Sequence, residues 1–154
     1  MVLTATSVRI WSDSLSVTAD RAPQFLDITP TVQDYVNRSG ITNGIVVVYS
    51  RHTTAAIKIN EHEPELLNDM EGFLSRLSPA DAAYFHNDFE VRTVNMEEDE
   101  CPNGHAHCQH LVLSSSETIP IVDGLLGLGV YQRVFLVELD RPRPRMVTVQ
   151  IIGS

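Results

Sequence analysis

Six histidines occur in the chain, and they are not evenly spread: His105, His107 and His110 crowd one segment, whereas His52 and His86 each end or follow a predicted strand. Neutral imidazole is the common nitrogen ligand for zinc and similar metals, so this crowding raises a metal site as a candidate. On a helix His107 and His110 are neighbours, and on a strand His105 and His107 share a face. A short helix fits the segment better and turns His107 inward, with His105 and His110 elsewhere. The same pattern also suits ordinary surface or hydrogen-bonded histidines.

Arg51-His-Thr-Thr-Ala-Ala56 places an imidazole and two hydroxyls, Thr53 and Thr54, at the end of a rigid strand. Adjacent hydroxyls can bind phosphate oxygens, although threonine also simply favours strands. Asn60-Glu61 ends the next strand, and Asp69 lies one position from Met70 on a predicted helix. A carboxylate there orients a ligand histidine or accepts a proton, or is a plain helix-edge charge. In Arg141-Pro-Arg143-Pro-Arg145, prolines space three guanidinium groups on a stiff segment that could meet phosphate, or that is a solvated loop before the last strand. Ser114-Ser-Ser116 lacks the G-x-S-x-G surroundings of a serine nucleophile. Gly124-Leu-Leu-Gly-Leu-Gly129 leads into a strand, not a helix, which excludes a dinucleotide loop.

The elements that must position these groups follow from periodicity. Thr6-Val8-Ile10 and Leu15-Val17 alternate as an antiparallel pair or one bent strand, and Phe25 to Ile28 reads as a short strand. Pro30 opens a helix that Gly40 stops. The β-branched run Gly44–Ser50 predicts a strand buried on both faces. Residues 56–61 alternate as a strand, and Pro64 opens a helix with the apolar stripe Leu66, Leu67, Met70, Phe73, Leu74 and Leu77. From Ala80 to Pro102 the apolar pattern thins into a long loop, a kind that is often functional. Asn103 caps a short helix to about Val112. Residues 118–122, 129–139 and 146–152 predict three strands, with Asp123-Gly124 as a hairpin turn. The sum is an α+β fold, a mainly antiparallel sheet or sandwich with about three helices.

With 154 residues and no repeat or linker, the whole span 1–154 is expected to be one domain. Eleven Lys+Arg against 20 Asp+Glu give a formal charge of -9, which disfavours a polyanionic nucleic-acid partner. No apolar run is long enough to span a bilayer and no export signal opens the chain, so a soluble, cytoplasmic protein without a membrane partner is expected. The spacing of Cys101 and Cys108 suits neither a disulfide framework nor a zinc knuckle, and both read as free thiols.

Taken in order, Ser50-Arg-His-Thr-Thr-Ala-Ala56, Ile59-Asn-Glu61, Asp69-Met70, Phe85-His-Asn87, Asn103-Gly-His-Ala-His107, Ser114-Ser-Ser116, Gly127-Leu-Gly-Val-Tyr-Gln132 and Val137-Glu-Leu-Asp140 resemble the YjbQ family over about residues 3–152. The resemblance implies a homotrimer with its site near the interfaces and thiamine phosphate synthase-like activity, joining a pyrimidine pyrophosphate to a thiazole phosphate. It carries the family's motif histidines onto His52, His86 and His107, expected to converge on one divalent metal: zinc, nickel, manganese or magnesium. His105 and His110 match less firmly. Asp69, Asn60, Glu61, Ser116 and Gln132 match the family's surrounding polar positions, with Asp69 and Glu61 expected as acid–base groups; the hydroxyls of Thr53 and Thr54 and the charge of Arg92, read from their own chemistry, are expected to join Asn60, Ser116 and Gln132 against a small phosphorylated molecule. Where the family often has tryptophan before the glutamine, this chain has Tyr131. Two other readings compete: a metal-dependent hydrolase of a small phosphorylated or amide substrate, and a trimeric metal- or metabolite-binding protein without turnover.

Overall fold

The computed structural model describes residues 7–154. Two antiparallel sheets are stacked. The larger takes β1 (Arg9–Val17), β8 (Arg145–Gly153), β3 (Gly44–Ser50), β5 (Ser116–Val122) and β6 (Leu125–Leu126) in that spatial order. The smaller takes β2 (Gln24–Asp27), β7 (Gln132–Glu138) and β4 (Ala55–Glu61). Three α-helices complete the described fold: α1 (Thr29–Ser39), α2 (Pro64–Leu77) and α3 (Gly104–His110), with one 3-10 turn at Phe85–Asn87. The expected α+β architecture with antiparallel sheets and three helices is therefore present.

Alternation decides which sheet face carries which core. Val46 and Val48 of β3, Val147, Val149 and Ile151 of β8, and Ile119 and Ile121 of β5 point to one side. There they meet Val134 and Leu136 of β7, Ile57 of β4, and Val32, Tyr35 and Val36 of α1. The opposite face of β7 presents Phe135 and Val137, which pack with Phe25, Ala56, Leu74 of α2 and Ala106 of α3. The strand buried on both faces is thus β7, and not β3 as the β-branched run predicts. Ile45 and Tyr49 of β3 are 40% and 46% exposed because, among the described residues, no layer covers the outer face of the larger sheet. Ile10 of β1 and Met146 of β8 share that open face.

The ends of the elements follow local chemistry. Gly40 closes α1 at a φ of 63°, where a side chain would be strained. The Glu63 carboxylate caps α2 by accepting from the amides of Glu65 at 3.0 Å and Leu66 at 2.7 Å, and those bonds hold its pKa low. Asp123 and Gly124, both at positive φ, make the predicted tight turn and add the short strand β6, which the glycine-rich pattern concealed. Asn103 precedes α3 without a side-chain cap; its amide instead reaches Asp140 at 3.4 Å. The opening strand is a single element over Arg9–Val17, and Thr6 of its predicted start lies outside the described residues. No described helix is long and apolar enough to cross a membrane.

Candidate functional site

The loop between α2 and α3 and the turn between β7 and β8 enclose a cleft of about 700 Å³. Its lining includes Phe85, His86 and His107, Thr53, Arg141 and Arg143, Asn103 and Cys101, and the carboxylates of Glu97, Asp99 and Glu100. Although His86 sits on the 3-10 turn and His107 on α3, their rings meet edge to face with centroids 4.6 Å apart. His86 Nε2 is buried and has no hydrogen-bond partner. Burial first, and then the neighbouring His86, push the His107 pKa below the usual histidine value, so that its ring is a proton acceptor at neutral pH.

The arginines of the lining are anchored on Glu138, Asp140 and Thr54. Arg143 pairs with Asp140 at 2.7 Å and also donates to Thr54 Oγ1 at 3.3 Å, which leaves its Nε buried and unpartnered. Arg141 pairs with Asp99 at 3.1 Å on the exposed rim. Behind them Arg145 donates its Nε to Glu138 Oε2 at 2.6 Å and its Nη2 to both Glu138 Oε1 and Thr54. Thr54 therefore braces two arginines and is itself buried, whereas Thr53 faces the cleft.

Arg92 lines the same cleft, but its donors are committed. They reach the carbonyls of Val94, His86 and Asn95 and the Glu100 carboxylate, the last at 3.0 Å. In this chain it organises the loop that carries His86.

The remaining expected residues stand elsewhere. In the β4–β7 ladder Ala55 lies opposite Glu138 and Glu61 opposite Gln132. The cleft is at the first end of that ladder, while Asn60, Glu61 and Gln132 are at the other, about 20 Å along the strand. Gln132 accepts the Gly129 amide at 2.7 Å, and Asn60 turns its amide onto Met70 Sδ at 3.1 Å. Asp69 is exposed on α2, and Ser116 pairs with Tyr49 at the end of β3. His52 accepts the Met146 amide at Nε2, 2.8 Å away, and lies outside the cleft lining, next to Thr53 which is in it. Among the described residues no three His, Cys, Asp or Glu side chains stand close enough to hold one metal ion. The His86–His107 pair supplies two imidazoles, and the third histidine expected for the metal does not join them within the chain.

Some neighbours in this region are not apparent from sequence spacing. Asp140 gathers Cys101 Sγ at 3.7 Å, Asn103 and Arg143, linking the cleft floor to the end of β7. On the far end of the smaller sheet His62 meets Asp27 at 3.1 Å and stacks edge-on against Phe135. Glu138 and Asp140, two residues apart, read as part of an ordinary strand end, and only their arginine partners reveal the role.

Residues 13–154 match the family described as UPF0047 protein, YjbQ-like. The chain belongs to this family. A UPF0047 protein of Methanothermobacter thermautotrophicus is 36% identical over 96% of this chain and 95% of its own length. The UPF0047 protein YugU of Bacillus subtilis is 29% identical over 91% and 98%. A crystal structure from Sulfolobus solfataricus, described as a YbjQ-like protein of unknown function, superposes with a TM-score of 0.86 at 34% identity, covering 96% of this chain and 100% of that one. A hypothetical protein from Aeropyrum pernix K1 gives 0.83 at 36% identity, covering 94% and 99%. The YjbQ-like fold thus accounts for nearly the whole chain, and the function of the cleft has to be argued from its chemistry.

Proposed function

We propose that the cleft binds a small phosphorylated molecule and that the protein is a small-molecule enzyme with thiamine phosphate synthase-like activity. The observation that carries the reading is one cavity lined by both a close imidazole pair and guanidinium groups. Arg143, Arg141 and the Thr53 hydroxyl are suited to pyrophosphate oxygens, which planar guanidinium groups bind through paired donors. In the proposed reaction the bond from the pyrimidine methylene carbon to pyrophosphate oxygen breaks, the leaving group keeps the electron pair, and the thiazole nitrogen bonds to the carbon. That nitrogen has no proton to lose. The chain's task is then to neutralise the departing pyrophosphate and keep water from the electron-poor carbon.

A divalent metal is the cofactor implied by the family resemblance. Such a metal would supply charge for the leaving group, and His86 and His107 are the residues of this cleft that would hold it. With His52 committed to the Met146 amide, the three-histidine set does not fit a metal within one chain.

The competing hydrolase reading draws on one feature, the lowered pKa of His107, which keeps its ring free to take a proton from water. The two are separated by measuring pyrophosphate release from the pyrimidine pyrophosphate with and without the thiazole phosphate. Release only when both are present, with a joined product, supports the transferase; release from the single substrate in water supports the hydrolase; none with either defeats both.

The chain is proposed to work as a homotrimer. The uncovered apolar residues of the larger sheet support self-association. The distance of Asn60, Glu61, Gln132 and Asp69 from the cleft of their own chain supports a site completed by a neighbouring copy.

A further inference from the structure

His52 is held in a position that a metal ligand could not share. A backbone N–H can only donate, so the 2.8 Å contact from Met146 fixes His52 Nε2 as the acceptor and leaves the ring proton on Nδ1. A neutral imidazole has one ring lone pair available in its plane, and here it is used. The neighbouring residue ties Met146 a second time, since the Arg51 amide donates to the Met146 carbonyl at 3.3 Å. Two positions further on, Thr54 receives the guanidinium groups of both Arg143 and Arg145. Segment 51–54 therefore grips 143–146 through main chain, imidazole and hydroxyl together.

We infer that His52 is a positioning residue: as a neutral acceptor it pins the start of β8 and thereby sets Arg143 on the cleft wall, and it is not a metal ligand. Burial, and then the charges of Arg145 and Arg143, lower the His52 pKa and keep the ring in the neutral form this role requires, with Glu138 opposing them. Arg143 sits three residues before Met146 with Pro144 between them, so a shift at Met146 is transmitted to it with little slack.

The test begins with the wild-type protein. Two-bond nitrogen–proton spectra of histidine-labelled protein at about pH 8, where imidazoles are neutral, should show His52 with a proton on Nδ1 and an acceptor Nε2. Adding zinc should leave those nitrogens unshifted. A proton on Nε2, or a zinc-induced shift at His52, overturns the inference, and neither outcome depends on a variant that folds. His52→Ala should then lose hydrogen-exchange protection at the Met146 amide and bind pyrophosphate roughly tenfold more weakly, a loss of the size expected for one hydrogen bond's influence. His52→Gln, whose amide oxygen reaches the same place, should recover both. Unchanged pyrophosphate affinity in His52→Ala with the Met146 protection gone overturns the positioning role. The pyrophosphate measurement rests on the phosphorylated-ligand reading above; if wild type binds none, that reading fails while the nitrogen spectra still decide the state of His52.

Discussion

Glu138 and Arg145 face each other across the turn between β7 and β8 as an ion pair with side chains 0% and 2% exposed. The pair is satisfied by more than charge. Glu138 Oε1 also accepts the amides of Leu139 at 3.1 Å and Asp140 at 2.9 Å, and Arg145 reaches the Thr54 carbonyl and hydroxyl. Every one of these bonds fixes the turn that carries Arg141 and Arg143.

Removing one partner strands the other in a site closed to water. Glu138→Leu or Arg145→Met is expected to lower stability by about 3–5 kcal/mol, whereas the double change Glu138→Leu with Arg145→Met should cost less than the sum of the two. Denaturant unfolding of the three variants measures it. Additive losses would mean that the two side chains do not act on each other.

Arg92 is predicted to act through the loop. Arg92→Ala frees three carbonyls and Glu100 and should cost about 1–3 kcal/mol, with hydrogen exchange rising between His86 and Glu100. Arg92→Lys should recover little, because a single ammonium cannot span the positions that the planar fork reaches. If Arg92→Lys restores the exchange pattern, charge and not geometry holds the loop.

Stability should fall as the solution is acidified through the histidine range. Burial lowers the pKa of His52, His105, His107 and His110 in the folded chain. The unfolded chain then binds more protons than the folded one, so stability is fully present above the unfolded value and is lost as pH falls towards and through the folded ones. The urea midpoint should therefore drop between about pH 7 and about pH 5, and less steeply in His110→Leu than in wild type. A midpoint that rises on acidification in this window would reverse the sign assigned to these groups.

Gly44 and Gly153 pair where β3 and β8 come closest. A methyl group on Gly44 would stand 2.1 Å from the Ile152 carbonyl oxygen and 2.7 Å from the Gly153 Cα, both main-chain atoms. Gly44→Ala should therefore destabilise by about 1–3 kcal/mol despite alanine's smaller backbone entropy loss. Gly124→Ala, with open space around it but a φ of 78°, should cost about 1 kcal/mol from backbone strain alone. Thermal midpoints of the pair would rank them; the reverse order would show that β8 yields easily at its end.

Self-association can be tested together with the shared site. Sedimentation at micromolar concentration should give three times the chain mass of 17.1 kDa. If neighbouring copies complete the cleft, His107→Ala and Glu61→Gln proteins, each inactive alone, should regain part of the activity when unfolded and refolded as a mixture. A trimer without such complementation would place each working site within one chain.

Local signals in the sequence determined most of the elements. Pro30 and Gly40 bound α1, Pro64 opens α2, and Asp123-Gly124 makes its turn, because each of those residues restricts or permits backbone angles whatever surrounds it. The crowding of histidines on α3 and the free thiols were legible from position and spacing in the chain. Which strand would be covered on both faces was not. Gly44–Ser50 and Gln132–Glu138 are both apolar runs, and only the placement of α2 and α3 against the smaller sheet decides that β7 is the enclosed one. Partners distant in sequence were equally out of reach of local signals. That His86 and His107 come together was expected from the family resemblance alone, not from their spacing; that Arg92 spends its donors on its own loop, and that His52 finds the Met146 amide across 94 positions of chain, was not expected at all. Residue type sets what a side chain can bond to, and the tertiary structure decides which partner claims it first, since a lone pair or a donor once used in the fold is not available to a metal or a substrate.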